Sequence, residues 1–144
     1  MGKKRIVAQS GTTAAASGNT GGSRGSAKRK LASGAVHIQA TYNNTKLSLH
    51  DPEGNLVAWA TSGALGFSGA KKGTTFAAGK VGENLADRAL DLGVKEVAVY
   101  VKGVGAGREA ALRACAAKGI NIASIADITP VPFNGPKPRK PRRV

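Results

Sequence analysis

Two glycine-rich segments of this sequence contain the residue types that can bind a phosphate backbone. The first, residues 62–74, combines four glycines with Lys71, Lys72 and one aromatic residue, Phe67. Glycine lets backbone N–H groups approach a phosphate closely, lysine supplies charge, and an aromatic ring can stack on a base. The pattern predicts nucleic-acid contacts at Gly66, Phe67, Ser68, Gly69, Lys71, Lys72 and Gly73. The alternative is an ordinary surface loop with Phe67 in the core.

The second segment, residues 103–108, reads Gly-Val-Gly-Ala-Gly-Arg and lies between an apolar strand and a predicted helix. The free N–H groups and the dipole at a helix N-terminus attract anions, and Arg108 could add a bidentate phosphate contact. This predicts phosphate contacts at Gly105, Gly107 and Arg108. A dinucleotide site with Asp127 as the ribose-binding acid is the alternative, but the glycine spacing departs from the Gly-x-Gly-x-x-Gly fingerprint.

The remaining reactive side chains do not indicate an enzyme. Cys115 falls on the apolar side of a predicted helix, which is typical of a packed core thiol. His37 and His50 face outward on one predicted hairpin, where they either contact an RNA edge or are solvated, and Trp59 is expected in the core. The sequence contains no nucleophile elbow, Walker loop or metal-spaced carboxylate cluster. We therefore expect no catalytic residue, no metal and no cofactor.

The charge of the chain is concentrated at its two ends. The 144 residues carry 22 Lys and Arg against 8 Asp and Glu, a net charge of +14. Seven basic residues lie in 1–30 and five in 135–144, without any acid, whereas 31–134 holds ten basic and eight acidic residues. Basic segments without interspersed acids gain from a polyanion that releases its counterions. Nucleic acid is therefore the expected partner, with acidic membrane surfaces and acidic proteins as alternatives.

The composition divides the chain into one domain and two arms. Residues 1–33 are rich in Gly, Ser, Ala and Thr and are predicted to form a disordered basic arm, or alternatively an organelle transit peptide. Residues 34–130 are predicted to form a globular α/β domain, and 131–144 an extended, proline-rich tail. No apolar run approaches the roughly 18 residues of a membrane helix. The arms add predicted RNA contacts at Lys28, Arg29, Lys30, Lys137, Arg139, Lys140, Arg142 and Arg143.

Hydrophobic periodicity predicts the elements that position these segments. Alternation predicts strands over 35–42, 45–50 and 56–61, the first two joined by Asn43 and Asn44 in a tight turn with positive φ. Helical spacing follows over 75–92 and 108–118, with a strand over 96–102 that is apolar enough to be covered on both faces. A last strand over 120–128 changes phase near Ala123. The predicted order is β-β-β-α-β-α-β, a mixed sheet with helices on its faces.

Four segments resemble the family of the universal small-subunit ribosomal protein numbered eleven, in its bacterial or organellar form. They are Ala35 to Thr45, Trp59 to Gly69, Val101 to Glu109 and Asp127 to Gly135, and the similarity spans about 34–144. The resemblance implies a three-layer α/β/α ribonuclease-H-like fold. It also implies a structural role on the platform of the small ribosomal subunit, where the protein binds ribosomal RNA and helps to shape the messenger exit path. The implied neighbours include the platform proteins numbered seven and eighteen, in a cytoplasmic, plastid or mitochondrial ribosome.

The resemblance also assigns RNA contacts residue by residue. They fall at Asn43 and Asn44, in the loop 66–73, at Gly105, Gly107 and Arg108, and in the tail from Asn134 and Gly135 to Arg143. This chain departs from the family pattern at Val104, Ala106, Phe133 and Pro136. The ribonuclease-H-like fold raises a metal-dependent nuclease as another class, but the first strand contains no acid to hold a cation. A non-ribosomal RNA chaperone or regulator is the alternative function.

Overall fold

The computed structural model describes residues 30–143, which form a five-stranded sheet and two α-helices. The strands are β1 (Ser33–Ala40), β2 (Thr45–His50), β3 (Leu56–Thr61), β4 (Glu96–Lys102) and β5 (Asn121–Asp127). The helices are α1 (Thr75–Asp91) and α2 (Gly107–Ala117), and a short 3₁₀ helix covers Gly69–Gly73. The predicted order of strands and helices is confirmed. The predicted arm lies outside the described residues as far as position 29.

The sheet is mixed, with strand order β3-β2-β1-β4-β5. Strand β1 pairs antiparallel with β2, which pairs antiparallel with β3, whereas β4 runs parallel to both β1 and β5. Consequently β1, β3, β4 and β5 all point in one direction. Before β1, the N–H of Leu31 donates to the carbonyl of Leu92 at 3.0 Å.

The core lies between one face of the sheet and the two helices. Alternate strand residues such as Val36, Ile38 and Leu47 point toward the helices and are fully buried. Helix α1 contributes Val81 and Leu85 at the predicted spacing. The burial of small aliphatic side chains supplies the main stabilising free energy of such a domain.

Both helices lie on the same face of the sheet, where they pack against each other. The α/β class is confirmed, but residues 30–143 contain no helix on the opposite face, so the described domain has two layers and not three. The two crossovers, β3 to β4 and β4 to β5, both step toward the same edge of the sheet. Crossovers of one handedness that step in one direction place their helices on one side.

The face of the sheet opposite the helices, which we call the uncovered face, accounts for two incorrect burial predictions. Strand β4 alternates between buried residues such as Val99 and half-buried ones such as Tyr100, so it is not covered on both faces. Trp59 is 52% exposed on β3 and is not a core residue. In helix α2 the buried residues are Gly107, Ala111 and Cys115, whereas Ala116 is exposed.

The turn between β1 and β2 differs from the predicted geometry. Strand β1 ends at Ala40, so Tyr42 lies in the turn and is 78% exposed. Among the described residues, positive φ outside glycine occurs only at Asn134, and therefore not at Asn43 or Asn44. The N–H of Asn44 donates to Thr41 Oγ1 at 3.1 Å, and Thr41 N donates back to the Asn44 carbonyl at 2.9 Å. A threonine side chain thus closes a turn that does not need left-handed residues.

The predicted change of phase in the last strand is confirmed. Val97 pairs with Ile122, but the next residue, Ala98, pairs with Ser124, so Ala123 is the extra residue of a bulge. A bulge adds one residue to one strand and shifts the side chains that follow to the other face. No helix within residues 30–143 is long and apolar enough to cross a bilayer.

Candidate nucleic-acid interface

The predicted contact segments meet at one edge of the sheet. This is the end of the sheet at which β1, β3, β4 and β5 finish, and we call it the carboxyl edge. It consists of the segments that follow these strands: residues 41–44, 62–74, 103–106 and 128–143. Because these strands point in one direction, the segments that follow them emerge on the same side. The carboxyl edge contains seven Lys and Arg residues and no Asp or Glu. It therefore attracts polyanions.

Ser62 joins two of these segments. Its side chain is fully buried, and its Oγ accepts a hydrogen bond from Thr45 N at 3.2 Å. The same Oγ lies 2.9 Å from the Lys72 carbonyl and 2.5 Å from Asn44 Oδ1, to either of which the hydroxyl can donate. One side chain thus fixes the loop 62–74 against the turn 41–44. Ser62 is not among the predicted site residues, and its only signal in the sequence is its place directly after a strand.

Three glycines of the interface face the protein interior. A Cβ at Gly73 would collide with the Tyr42 carbonyl, and one at Gly105 would collide with the Thr41 carbonyl. Gly107 is buried against Thr45. These glycines allow close packing of the loops on the β1–β2 turn. The predicted phosphate contacts at Gly105 and Gly107 therefore fall on buried residues.

The other half of loop 62–74 is open to solvent. Gly66 and Gly69 have positive φ, and no atom lies within 4 Å of the position of a Cβ at either residue. Phe67 is half-buried and makes an edge-to-face contact with Phe76 at 6.1 Å between ring centroids. Of the remaining predicted contacts, Asn43, Ser68 and Lys71 are exposed, whereas Asn44, Lys72 and Gly73 are half-buried.

Arg108 is engaged within the protein. Its guanidinium donates to the carbonyl of Gly103 and to the carboxylate of Asp127, and it lies 3.1 Å from Thr129 Oγ1. Thr129 in turn donates to Asp127 Oδ1 through its N–H, at 2.9 Å, and through its hydroxyl, at 2.6 Å. Arg108 thus connects the loop 103–106 to the end of β5 and to the segment 128–130 that leads into the tail, which we call the root of the tail. The Asp127 carboxylate, which the dinucleotide-binding alternative assigned to a ribose, is therefore paired with Arg108.

The hydrogen bonds to Asp127 change its protonation. Those from Thr129, with a further one from Arg108, lower the pKa of Asp127 from 3.8 to about 2. Hydrogen bonds to the charged form of a carboxyl stabilise that form. Asp127 is therefore ionised near neutral pH, so its charge offsets that of Arg108.

The N-terminus of α2 lies beside this network. Its N-cap residue, Ala106, gives no side-chain hydrogen bond, whereas Thr74 caps α1 by accepting from Ala77 N at 3.3 Å. The first-turn N–H groups of α2 thus lack a side-chain acceptor, as the anion-binding prediction requires. Glu109, in the same turn, forms an ion pair with Arg113 at 2.9 Å.

The tail is exposed over 131–143. Phe133 is 94% exposed, and Asn134 has a φ of 54°. The predicted contacts here are all at the surface: Asn134, Gly135, Lys137, Arg139, Lys140, Arg142 and Arg143. At the other end of the described chain Lys30 is exposed, while Lys28 and Arg29 lie outside the described residues.

The described residues contain no group of three His, Cys, Asp or Glu side chains that could hold a metal. Cys115 is buried, and burial raises the pKa of its thiol to about 11, so the thiol is protonated near neutral pH. It packs in the core, as its position on α2 predicted. His37 and His50 lie on the uncovered face of the sheet, with ring centroids 4.7 Å apart.

Comparison with known proteins agrees with this geometry. A family model described as "Ribosomal protein S11" matches residues 34–143. The "Small ribosomal subunit protein uS11" of Thermosynechococcus vestitus is 52% identical over 117 residues, which cover 81% of this chain and 90% of that protein. The protein of the same name from Caldicellulosiruptor saccharolyticus is 51% identical over 121 residues, 84% of this chain and 93% of the relative. Such proteins are structural components of the ribosome and are not enzymes. The chain therefore belongs to the ribosomal protein S11 family, as a small-subunit protein that resides in the ribosome.

Proposed function

We propose that this protein binds small-subunit ribosomal RNA on the platform of the subunit through its carboxyl edge and its basic tail. The observation that carries the proposal is the convergence of three predicted contact segments and the root of the tail at one sheet edge that contains seven basic residues and no acid. The same surface helps to shape the messenger exit path. The proposed neighbours are the platform proteins numbered seven and eighteen.

The two parts of the surface have different tasks. The segments 41–44, 62–74 and 103–106 are held to one another by Ser62, by the buried glycines and by Arg108, so their exposed groups have fixed positions. Fixed contacts to phosphate and sugar set the register of the protein on folded RNA. The tail contributes five positive charges and therefore most of the electrostatic affinity.

The internal contacts divide the predicted RNA-binding residues into two groups. Asn43, Gly66, Ser68, Gly69 and Lys71 are exposed and are proposed to contact RNA directly. Gly105, Gly107 and Arg108 are proposed to act by positioning the loop and the root of the tail. Lys28, Arg29 and Lys30 precede β1 in the sequence and are proposed to add further RNA contacts.

The test is the salt dependence of binding to a fragment of small-subunit ribosomal RNA. If six or more phosphates are neutralised, the affinity falls by about a thousandfold or more between 50 and 200 mM salt. The double variant Lys71→Gln, Lys72→Gln should reduce the slope of log K against log salt by about 0.7–0.9 for each lost phosphate contact.

The matched control is Lys95→Gln, which removes one exposed charge from the opposite edge of the sheet. It should change the slope less than either Lys71→Gln or Lys72→Gln alone. Equal effects at both edges would contradict a localised interface. The platform position is tested by crosslinking Lys71 and Lys72 in assembled subunits, where crosslinks to RNA or proteins outside the platform of the small subunit would contradict the proposal.

A further inference from the structure

The uncovered face of the sheet carries a row of aromatic and imidazole rings. Strand register aligns Trp59 on β3 with Ser48 on β2, Ser48 with His37 on β1, and His37 with Tyr100 on β4. His37 stacks on Tyr100, with centroids 4.9 Å apart and planes inclined by 22°. The His50 ring meets His37 edge to face. A row of rings thus crosses four strands, in which His37 lies between Tyr100 and His50.

The rings are held in place by their neighbours. His50 Nε2 lies 3.0 Å from Ser48 Oγ, and its Nδ1 lies 3.3 Å from the Gly54 carbonyl, so both ring nitrogens have partners. Burial and the nearby His50 lower the pKa of His37. His37 is therefore neutral near pH 7. Its ring can then stack on Tyr100 without the free-energy cost of removing a charge from water.

A row of cationic and polar side chains runs beside the rings. Two residues further toward the carboxyl edge, Lys46, Gln39 and Lys102 are adjacent across β2, β1 and β4. Two residues along a strand span about 6.6 Å, a distance comparable to that between the base and the phosphate of one nucleotide. Both lysines are exposed.

The two rows line an open depression of about 590 Å³. Its lining includes Trp59, Tyr100, His37 and both lysines, and it contains no Asp or Glu. A neighbouring depression nearer the amino-terminal ends of the strands does include Asp51 and Glu96. The positive charge of this face is thus confined to the half that adjoins the carboxyl edge.

We infer that the face of the sheet opposite the helices is a second RNA-binding surface, which stacks unpaired bases on Trp59 and on the face of Tyr100 turned away from His37, and holds their phosphates with Lys46 and Lys102. Stacking on a sheet suits single-stranded RNA because every base has a π-face. Charge decides between occupants: residues 1–29 of this chain carry six basic residues and no acid, and they would be repelled by the two lysines. The inference rests on the proposed function, since both require RNA.

Trp59 provides the measurement because it is the single tryptophan of the chain. We expect unstructured RNA oligonucleotides to quench its fluorescence in the full-length protein, whereas a fully paired RNA duplex should bind with little quenching. Tyr100→Leu and Lys102→Gln should each weaken the quenching titration with single strands, Tyr100→Leu by about fivefold or more. Lys102→Gln changes an exposed side chain and so keeps the test valid if Tyr100→Leu unfolds the sheet.

The controls separate this inference from the proposed function. Lys95→Gln, a charge change away from the depression, should leave the quenching affinity unchanged at fixed salt within about twofold. Binding of duplex and single strands without quenching, or quenching that Lys102→Gln and Tyr100→Leu do not weaken, would overturn the stacking surface but not the proposed function. Failure of any RNA to bind would overturn both.

Ultraviolet irradiation of assembled small subunits tests the same face in its natural setting. We expect peptides containing Trp59 or Tyr100 to carry crosslinked nucleotides. Crosslinks from these peptides to another protein, or to residues 1–29 of this chain, would show that something other than RNA covers the face and would overturn the inference.

Discussion

Ser62 shows how a single small side chain can organise an interaction surface. Its hydroxyl satisfies the buried N–H of Thr45 and lies within hydrogen-bond distance of the Lys72 carbonyl, so it connects segments 17 and 10 residues away. A buried polar group that loses its partner incurs its full desolvation cost. The geometry of the loop 62–74 therefore depends on this residue more than on its lysines.

Replacing Ser62 by alanine should lower the free energy of unfolding by about 1–3 kcal/mol, because Thr45 N would be left buried without its acceptor. Urea denaturation at neutral pH measures this change. Ser68→Ala is the matched control, because Ser68 is exposed and makes no side-chain capping hydrogen bond, and it should change stability by less than about 0.5 kcal/mol. Equal costs for the two variants would rule out the special role of Ser62.

Asp127 should make stability depend on pH in the acid range. A carboxyl whose pKa is depressed by folding adds stability that is fully present above its unfolded value of 3.8 and is lost as the pH falls toward about 2. The Asp127→Asn variant should therefore lose less stability than the natural protein between about pH 4 and pH 2.

The cause of the depressed pKa can be tested separately by NMR titration of the Asp127 carboxyl. Thr129→Val, which removes the hydroxyl hydrogen bond and keeps the backbone one, and Arg108→Gln should each raise the pKa of Asp127, because both side chains lower it. A titration near 3.8 in the unmodified protein would show that the network does not hold the carboxylate ionised.

At the scale of elements, the contact between α1 and α2 sets the distance between the two helix axes. Gly82 of α1 is buried against α2, and a Cβ there would lie 2.8 Å from both the Ala111 carbonyl oxygen and the Ala114 Cβ. Glycine lowers the intrinsic stability of a helix. Here close packing of the two helices outweighs that loss.

Substitution of Gly82 by alanine should lower the free energy of unfolding by about 1–3 kcal/mol through overpacking. Gly79→Ala, one turn earlier on the same helix, meets no atom within 4 Å and should raise it by up to about 1 kcal/mol. If the contact between the helices decides the outcome, thermal unfolding should show a lower free energy of unfolding for Gly82→Ala and a higher one for Gly79→Ala. A gain in stability for both would mean that helix propensity alone governs these positions.

At the scale of the whole molecule, charge and stability are assigned to different parts of the chain. The core is formed by the sheet face and helices between Val36 and Ile120, whereas residues 131–143 are exposed and carry five basic residues. The acids Asp51 and Glu53 lie in the β2–β3 turn, at the edge opposite the tail. Within residues 31–143, the basic tail and the acidic β2–β3 turn therefore lie at opposite ends of the sheet, and the tail end is the one that attracts a polyanion.

Deletion of residues 135–144 should weaken binding to ribosomal RNA and reduce its salt dependence, because five charges are removed. The melting temperature of the body should stay the same within about 2 °C, because exposed residues contribute little to stability. Filter binding and calorimetry on the same preparation measure the two effects. A large drop in melting temperature would show that the tail stabilises the domain.

The sequence by itself determined the elements of this fold. Strands β2, β3 and β4 begin and end at the predicted residues, and the bulge at Ala123 was visible as a change of phase. Such features are local, because alternation, helical spacing and turn residues act over a few neighbouring positions. The concentration of charge in the arms is likewise a property of the chain alone.

Tertiary structure decided how the side chains at the interface are used. Arg108 pairs with Asp127, and Gly105 packs beneath Thr41, although the sequence pattern predicted phosphate contacts for both Arg108 and Gly105. Trp59 is exposed because both helices lie on one face of the sheet, which depends on the handedness and direction of two crossovers. These outcomes depend on contacts between residues far apart in the chain, and local periodicity carries no information about which distant groups will meet.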